Sequence, residues 1–173
     1  MKNVTGLILA GGRGERMGGA DKGWVMVDGR PLIVSVVERF APQVGHLLIS
    51  ANRNIERYAA LGEVVEDDTT HVNGEGFAGP LIGVLSGLRR ARTDWVAIVP
   101  CDAPNLPGDL VQRLVSATLD TGAIAACART GGQLQPTFAV VKTSTVDQLA
   151  SSIASGERAM QRWLESLNAV AVN

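Results

Sequence analysis

Apolar positions along this chain fall into short runs separated by polar, glycine-marked or proline-marked breaks. Runs at 4–9, 46–51 (HLLISA), 63–66, 95–99 (WVAIV), 123–127, 137–141 (TFAVV) and 169–172 have the length and β-branched content of buried strands. Between them the spacing changes to one apolar residue every three or four positions. That predicts helices over 31–40 (PLIVSVVERF), 54–60, 79–92, 106–119, 144–155 and 157–167. Pro31 stands as a first-turn residue, Gly62 stops the second helix, and Gly83, Ser86 and Gly87 allow the third to pack closely. The polar stretch 67–78 reads as a functional loop. Repeated β-α-β with apolar strands implies an α/β fold, a mostly parallel sheet with helices on both faces. No linker or internal repeat divides it, so residues 1–173 form one domain.

Composition narrows the function. A chain of 173 residues with 46% hydrophobic content buries a real core. A net charge of -1 provides no basic field for nucleic acid, and 4% aromatics provide no stacking platform for single strands. Small-molecule chemistry is therefore expected. No stretch has the length of a membrane span, and the first residues lack a signal-peptide pattern. Cys101 and Cys127 are too far apart for a CxxC motif and lie in apolar surroundings, as buried free thiols would. A cytoplasmic location is expected.

The candidate chemistry begins where the first strand breaks. Residues 11–23 (GGRGERMGGADKG) hold six glycines together with Arg13, Arg16 and Lys22. Glycines admit an anion close to backbone N–H groups, and the cations match a triphosphate. The spacing is neither a Walker loop nor a G-x-G-x-x-G dinucleotide fingerprint. Asp102 lies just past the strand at 95–99, in a turn stiffened by Pro100, Pro104 and Pro107. A carboxylate there, facing phosphates, suits Mg²⁺; capping the next helix is its ordinary alternative, for which Asn105 and Asp109 are better placed. Asp67 and Asp68 follow a strand and suit either a nucleotide contact, a second metal or a solvated turn. Asn52 ends another strand with an amide able to read a base edge or to cap a helix. His46 and His71 stand apart from any nucleophile, and Trp24, Trp95 and Trp163 read as packing residues. In open α/β sheets such strand-end segments converge on the ligand.

Leu9-Ala10-Gly11-Gly12-x-x-x-Arg16-Met17-Gly18 resembles the nucleotidyltransferase opening L-A-G-G-x-x-x-R-M-G. The continuation Gly19-x-Asp21-Lys22-Gly23 is most similar to the molybdenum cofactor guanylyltransferases, the MobA family. Asn52-Arg53, Val65-Glu66-Asp67, Gly79-Pro80-Leu81-x-Gly83, Pro100-Cys101-Asp102-x-Pro104 and Gly156-Glu157-Arg158 extend the resemblance over nearly the whole chain. The resemblance implies a Rossmann-like three-layer α/β/α domain of nucleotide-diphospho-sugar-transferase type. It implies GTP and molybdopterin as substrates, Mg²⁺ as cofactor, pyrophosphate as product, and cofactor-delivery and acceptor proteins as partners. By the same resemblance Leu9, Ala10, Gly11, Gly12 and Gly14 lie near GTP, and Lys22 and Arg16 neutralise phosphate charge. Asp102 then binds the metal, and Asn52 and Asp67 hold the nucleoside. Two departures stand out. Gln135-Pro136 replaces the family's His-Pro, and the chain ends at Asn173 before the family's Asn-x-Asn-Thr segment, as a clipped sequence would. Cytidylyltransferases for the same cofactor, sugar-1-phosphate nucleotidyltransferases and a non-catalytic nucleotide-binding assembly module are the competing readings.

Overall fold

The computed structural model describes residues 1–12, 19–68 and 79–173. Seven strands form the main sheet: β1 (Val4–Leu9), β4 (His46–Ser50), β5 (Glu63–Val65), β6 (Trp95–Pro100), β7 (Ala125–Thr130), β8 (Gln133–Lys142) and β9 (Val170–Val172). Their order is β5-β4-β1-β6-β8-β7-β9. Neighbours pair in parallel except at β8, which runs antiparallel to both β6 and β7. The mostly parallel sheet expected from the apolar runs is therefore present, with β8 as an antiparallel strand within it.

Successive residues of each strand point to opposite faces, and each face has its own core. In β6, Ala97 and Val99 join Ile8, Ile33, Val36, Phe40, Leu114 and Val115 on one side. Val96 and Ile98 join Leu7, Leu81, Val84, Leu149 and Trp163 on the other. The first face carries helices α1 (Leu32–Phe40) and α4 (Leu110–Thr121). The second carries α3 (Pro80–Arg90), α5 (Val146–Ala154) and α6 (Met160–Ser166). Close packing of α3 depends on missing side chains. A Cβ on Gly83 would stand 2.5 Å from Ser50 Oγ, and one on Gly87 2.5 Å from Leu7 Cδ2.

Several boundaries differ from the sequence reading for local reasons. Pro31 is not in the first turn of α1; it is extended (ψ 137°) because it also pairs with Met26. That pairing belongs to a small hairpin, β2 (Met26–Val27) and β3 (Arg30–Pro31), which the apolar pattern misses. Its signal is Asp28-Gly29, both at positive φ (50° and 77°), the dipeptide that two-residue hairpin turns favour. Helix α4 starts four residues later than expected, because Pro104 and Pro107 occupy the turn after β6. Strand β8 is twice as long as its apolar core suggests: ten residues, with Pro136 placed where the register with β7 shifts between Cys127 and Ala128. A proline, having no N–H, is tolerated at such an irregularity. The short helix α2 is Ile55–Ala59.

Candidate active site

The chain moves outward from β1 to β4 and β5, then returns to β6 on the other side of β1. The loops that leave β1 and β6 therefore diverge from adjacent strand ends, the crevice in which open α/β sheets take ligands. Leu9 pairs with Pro100, and the amide of Cys101 donates to Leu9 O at 3.2 Å. Further along the same edge, Ala10 N donates to Ser50 O at 2.8 Å and Ala51 N to Val65 O at 3.1 Å. Four strand ends are thus in line, and they carry Asp102, the glycine segment, Asn52 and Asp67.

At one end of this row Lys22 Nζ lies 3.8 Å from Asp102 Oδ2. Their side chains are 45% and 41% exposed, so solvent screens the pair and it adds little to stability. Both groups remain available to a ligand. Lys22 is held through its backbone. It opens a single 3₁₀ turn (Lys22–Trp24) whose cap is Asp21, and the amide of Gly23 donates to Asp21 Oδ1 at 3.3 Å. Asp102 is held by the turn that follows it. There the nearly buried Gln43 donates to Pro107 O at 2.9 Å, and Gln43 Oε1 accepts from the amide of Val111 at 3.0 Å. Asp109 occupies the N-cap position of α4 without a side-chain bond. The cap expected of Asp109 comes instead from Gln43, across the fold.

At the other end Asn52 and Asp67 bind each other reciprocally. Asn52 Nδ2 donates to Asp67 Oδ2 at 2.8 Å, and the amide of Asp67 donates to Asn52 Oδ1 at 2.9 Å. The side-chain amide assigned by its sequence position to a base edge is therefore engaged with the carboxylate beside it. Asp67 Oδ1 is buried and has no hydrogen-bond partner among the described residues. Burial raises the Asp67 pKa, against the lowering effect of the Asn52 amide and Ser50 hydroxyl. An unpartnered buried acceptor is costly, and it is an arrangement a ligand N–H would relieve. Asp68 turns the other way: its amide donates to Ser86 Oγ at 3.3 Å and its carboxylate pairs with Arg89 at 3.1 Å. The two aspartates, equivalent in the sequence, thus separate into one bound to Asn52 and one that fastens β5 to α3.

The first glycines lie between these ends. A Cβ on Gly11 would stand 3.1 Å from Asn52 Nδ2 and 3.9 Å from Asp67 Oδ2, whereas one on Gly12 would meet nothing within 4 Å among the described residues. Gly11 lets the backbone approach the Asn52–Asp67 pair. Gly14 and Arg16 lie outside the described residues, as does His71. Among the described residues no three His, Cys, Asp or Glu side chains converge as a closed metal cage. Asp102 is a single exposed oxygen donor.

Sequence reasoning passed over Asp21 and Arg53. The Asp21 side chain is only 8% exposed and accepts from Tyr58 Oη (2.5 Å) and Asn54 Nδ2 (2.9 Å). Burial, then the bond to Asp21, raises the Tyr58 pKa well above the ordinary tyrosine range, so the phenol stays a donor. A Cβ on Gly23 would strike the Tyr58 hydroxyl at 2.5 Å, which explains the glycine after Lys22. Trp24 packs on Tyr58 with centroids 5.2 Å apart, beneath the Arg57 guanidinium. The trio Gly156-Glu157-Arg158 joins α5 to α6. Gly156 has φ 97°, Glu157 accepts from the amides of Arg158 and Ala159 at the start of α6, and Arg158 donates back to Ile153 O in α5. Both cysteines are buried free thiols, with burial pushing their pKa values up to about 12 for Cys101 and about 11 for Cys127.

Comparison with known proteins agrees with this geometry. Residues 6–170 match the family model of the MobA-like NTP transferase domain. A molybdenum cofactor guanylyltransferase from Burkholderia ambifaria is 47% identical over 172 residues, covering 93% of this chain and 81% of the relative. One from Yersinia pseudotuberculosis is 46% identical over 167 residues, covering 96% and 83%. Among solved structures, molybdopterin-guanine dinucleotide biosynthesis protein A from Archaeoglobus fulgidus superposes with a TM-score of 0.74 at 25% identity, over 97% of this chain and 82% of that one. A 4-diphosphocytidyl-2C-methyl-D-erythritol synthase from Anaerococcus prevotii reaches a TM-score of 0.75 at 12% identity, over 99% and 86%, and shares the fold. By this family match and these relatives, the chain belongs to the MobA-like NTP transferase family and is a nucleotidyltransferase of the molybdenum cofactor guanylyltransferase group.

Proposed function

We propose that the protein transfers GMP from GTP to the terminal phosphate of molybdenum-bound molybdopterin, giving the guanine dinucleotide form of the cofactor and pyrophosphate. The observation that carries this reading is the Lys22–Asp102 pair, 3.8 Å apart and open to solvent, at the same strand-end row as Asn52 and Asp67. An acceptor phosphate oxygen attacks the α-phosphorus; the bond to the β-phosphate oxygen breaks, and pyrophosphate leaves. The attacking phosphate is already anionic, so no general base is required, consistent with a site built of a lysine and carboxylates. Lys22, with Arg16 from the glycine segment, neutralises charge that grows on the α-phosphoryl and pyrophosphate oxygens. Leu9, Ala10, Gly11 and Gly12 form the backbone edge along the nucleotide, and the family resemblance assigns Gly14 to the same ligand. Asp67 accepts from guanine N–H donors, and Asn52 holds Asp67 in place.

Asp102 fits Mg²⁺, which keeps most of its waters and takes one or two carboxylates plus substrate phosphates. When bound there, the ion supplies positive charge for the phosphates of GTP. A cytoplasmic setting, with proteins that deliver and collect the cofactor, accords with this reading and with the free thiols.

Thermal stabilisation by GTP, CTP, UTP and ATP, each with and without Mg²⁺, tests the proposal. A ligand at 100 times its Kd stabilises the fold by about 2.7 kcal/mol. GTP with magnesium is expected to give the largest shift. A larger shift with CTP or UTP moves the protein to a cytidylyl- or uridylyltransferase, and no shift with any nucleotide overturns the reading of the glycine segment.

A further inference from the structure

Arg53 is the residue after Asn52, yet it reaches in a different direction. Its Nη1 donates to Gly19 O at 2.7 Å, and its Nη2 to Ala20 O at 3.1 Å and Gly12 O at 3.3 Å. Its Nε lies 3.9 Å from Asp21 Oδ2. One guanidinium therefore joins the residue that enters segment 13–18 to the residues that leave it, and touches the carboxylate that caps the Lys22 turn. Arginine suits this task because its planar fork presents several fixed donors, whereas lysine is a compact point charge. Both terminal nitrogens are engaged with backbone carbonyls. Turning three carbonyl oxygens onto a cation also keeps their negative ends from facing an incoming anion.

We propose that Arg53 is a positioning residue for nucleotidyl transfer: it clamps Gly12 to Gly19 and Ala20 and, with Asp21 and Tyr58, sets the backbone from which Lys22 reaches the α-phosphate. The Asn52-Arg53 dipeptide then has a divided task. Asn52 orders the nucleoside end of the site and Arg53 orders the phosphate end. The step it supports rests on the guanylyltransferase reading above; the clamp itself does not.

Two arms separate these. In the protein without nucleotide, amide hydrogen exchange at residues 19–24 is compared between wild type and Arg53→Ala. Exchange there is expected to rise by about tenfold or more while core amides of β1 and β6 change little. Equal exchange in both proteins overturns the clamp, whatever the substrate. In the second arm GMP transfer from GTP is measured in a cycle of Arg53→Ala, Lys22→Ala and the double variant. Misplacing Lys22 should lower kcat by roughly tenfold to a hundredfold with a smaller change in KM. In the Lys22→Ala background the same Arg53 change should cost no more than about twofold. An equal loss in both backgrounds overturns action through Lys22 and makes Arg53 an independent contributor. Should Arg53→Ala not fold, Arg53→Lys replaces it in both arms. Lysine keeps the charge but cannot span three carbonyls, so wild-type exchange and turnover in that variant overturn the proposal. If the wild-type protein transfers no GMP, the function reading fails while the exchange arm still decides the clamp.

Discussion

Asp102 and Lys22 are both too exposed for their ion pair to matter to folding, so replacing either should leave stability nearly unchanged and remove chemistry. Asp102→Asn and Lys22→Ala are each expected to lower turnover by about a hundredfold or more, a magnitude typical of losing one fixed charge-stabilising group. Steady-state kinetics with folded variants checks this, and normal turnover in either removes that residue from the site. Asp67 predicts a pH dependence. Its pKa is raised by burial, so the buried charge destabilises the fold at neutral pH, and that penalty is lifted as pH falls through the raised value toward the unfolded one. Binding works in the opposite sense, because the ionised carboxylate is the better acceptor. GTP affinity should weaken with acidification in a limb lying above the ordinary aspartate range, and Asp67→Asn should flatten it. Isothermal titration between mildly acidic and neutral pH reads the limb directly.

Two elements bring the site together from a distance. Gln43, in the 3₁₀ turn that follows α1, bonds Arg39 O, Pro107 O and the Val111 amide, so it satisfies both the start of α4 and the turn after Asp102. Gln43→Leu keeps roughly the same volume and orphans these groups. It should cost about 2–3 kcal/mol in urea unfolding, since buried donors and acceptors lose their partner. A cost below about 0.5 kcal/mol, the range of changes away from such features, would mean that water replaces the amide. On the other face, α3 lies against β4 only because Gly83 has no side chain; its Cβ would overlap Ser50 Oγ. Gly83→Val is expected to destabilise by about 1–3 kcal/mol through overpacking, and Ser50→Gly in the same chain to recover part of it. Chemical denaturation of the pair measures both. Helix spacing alone marked α3 as closely packed, through its small residues, but could not say which strand residue it meets.

For the molecule as a whole, the charge pattern predicts sensitivity to acid. The Glu63 pKa is lowered by its bond to His46 and then by Arg90, and that of Glu157 falls to about 2 through Arg162 and the amides of Ala159 and Arg158. Depressed carboxylates contribute stability that is present above their unfolded pKa and is lost as pH falls through the folded value. The melting temperature should therefore drop from the usual carboxylate range down toward about pH 2, and Glu157→Gln should remove part of that slope. A slope unchanged in Glu157→Gln would show the cap to be intact without its charge.

Strand and helix periodicity determined the α/β class, because burial on a sheet face or helix stripe imposes a period the residues must follow. The main strands stand within a few residues of their predicted places. In the sequence the glycines, Lys22, Asp67 and Asp102 stood out as candidates for phosphate and metal chemistry, because side-chain type limits what a group can do. Direction and pairing were not legible. That Asp67 pairs with Asn52 and Asp68 with Arg89, that Gln43 caps a helix far along the chain, and that β8 runs against its neighbours all depend on contacts between distant segments. Such contacts have no local signal. Arg53 shows the limit most plainly: from the sequence it is a cation after an asparagine, and only the fold, by carrying β4 beside β1, turns it onto Gly12, Gly19 and Ala20.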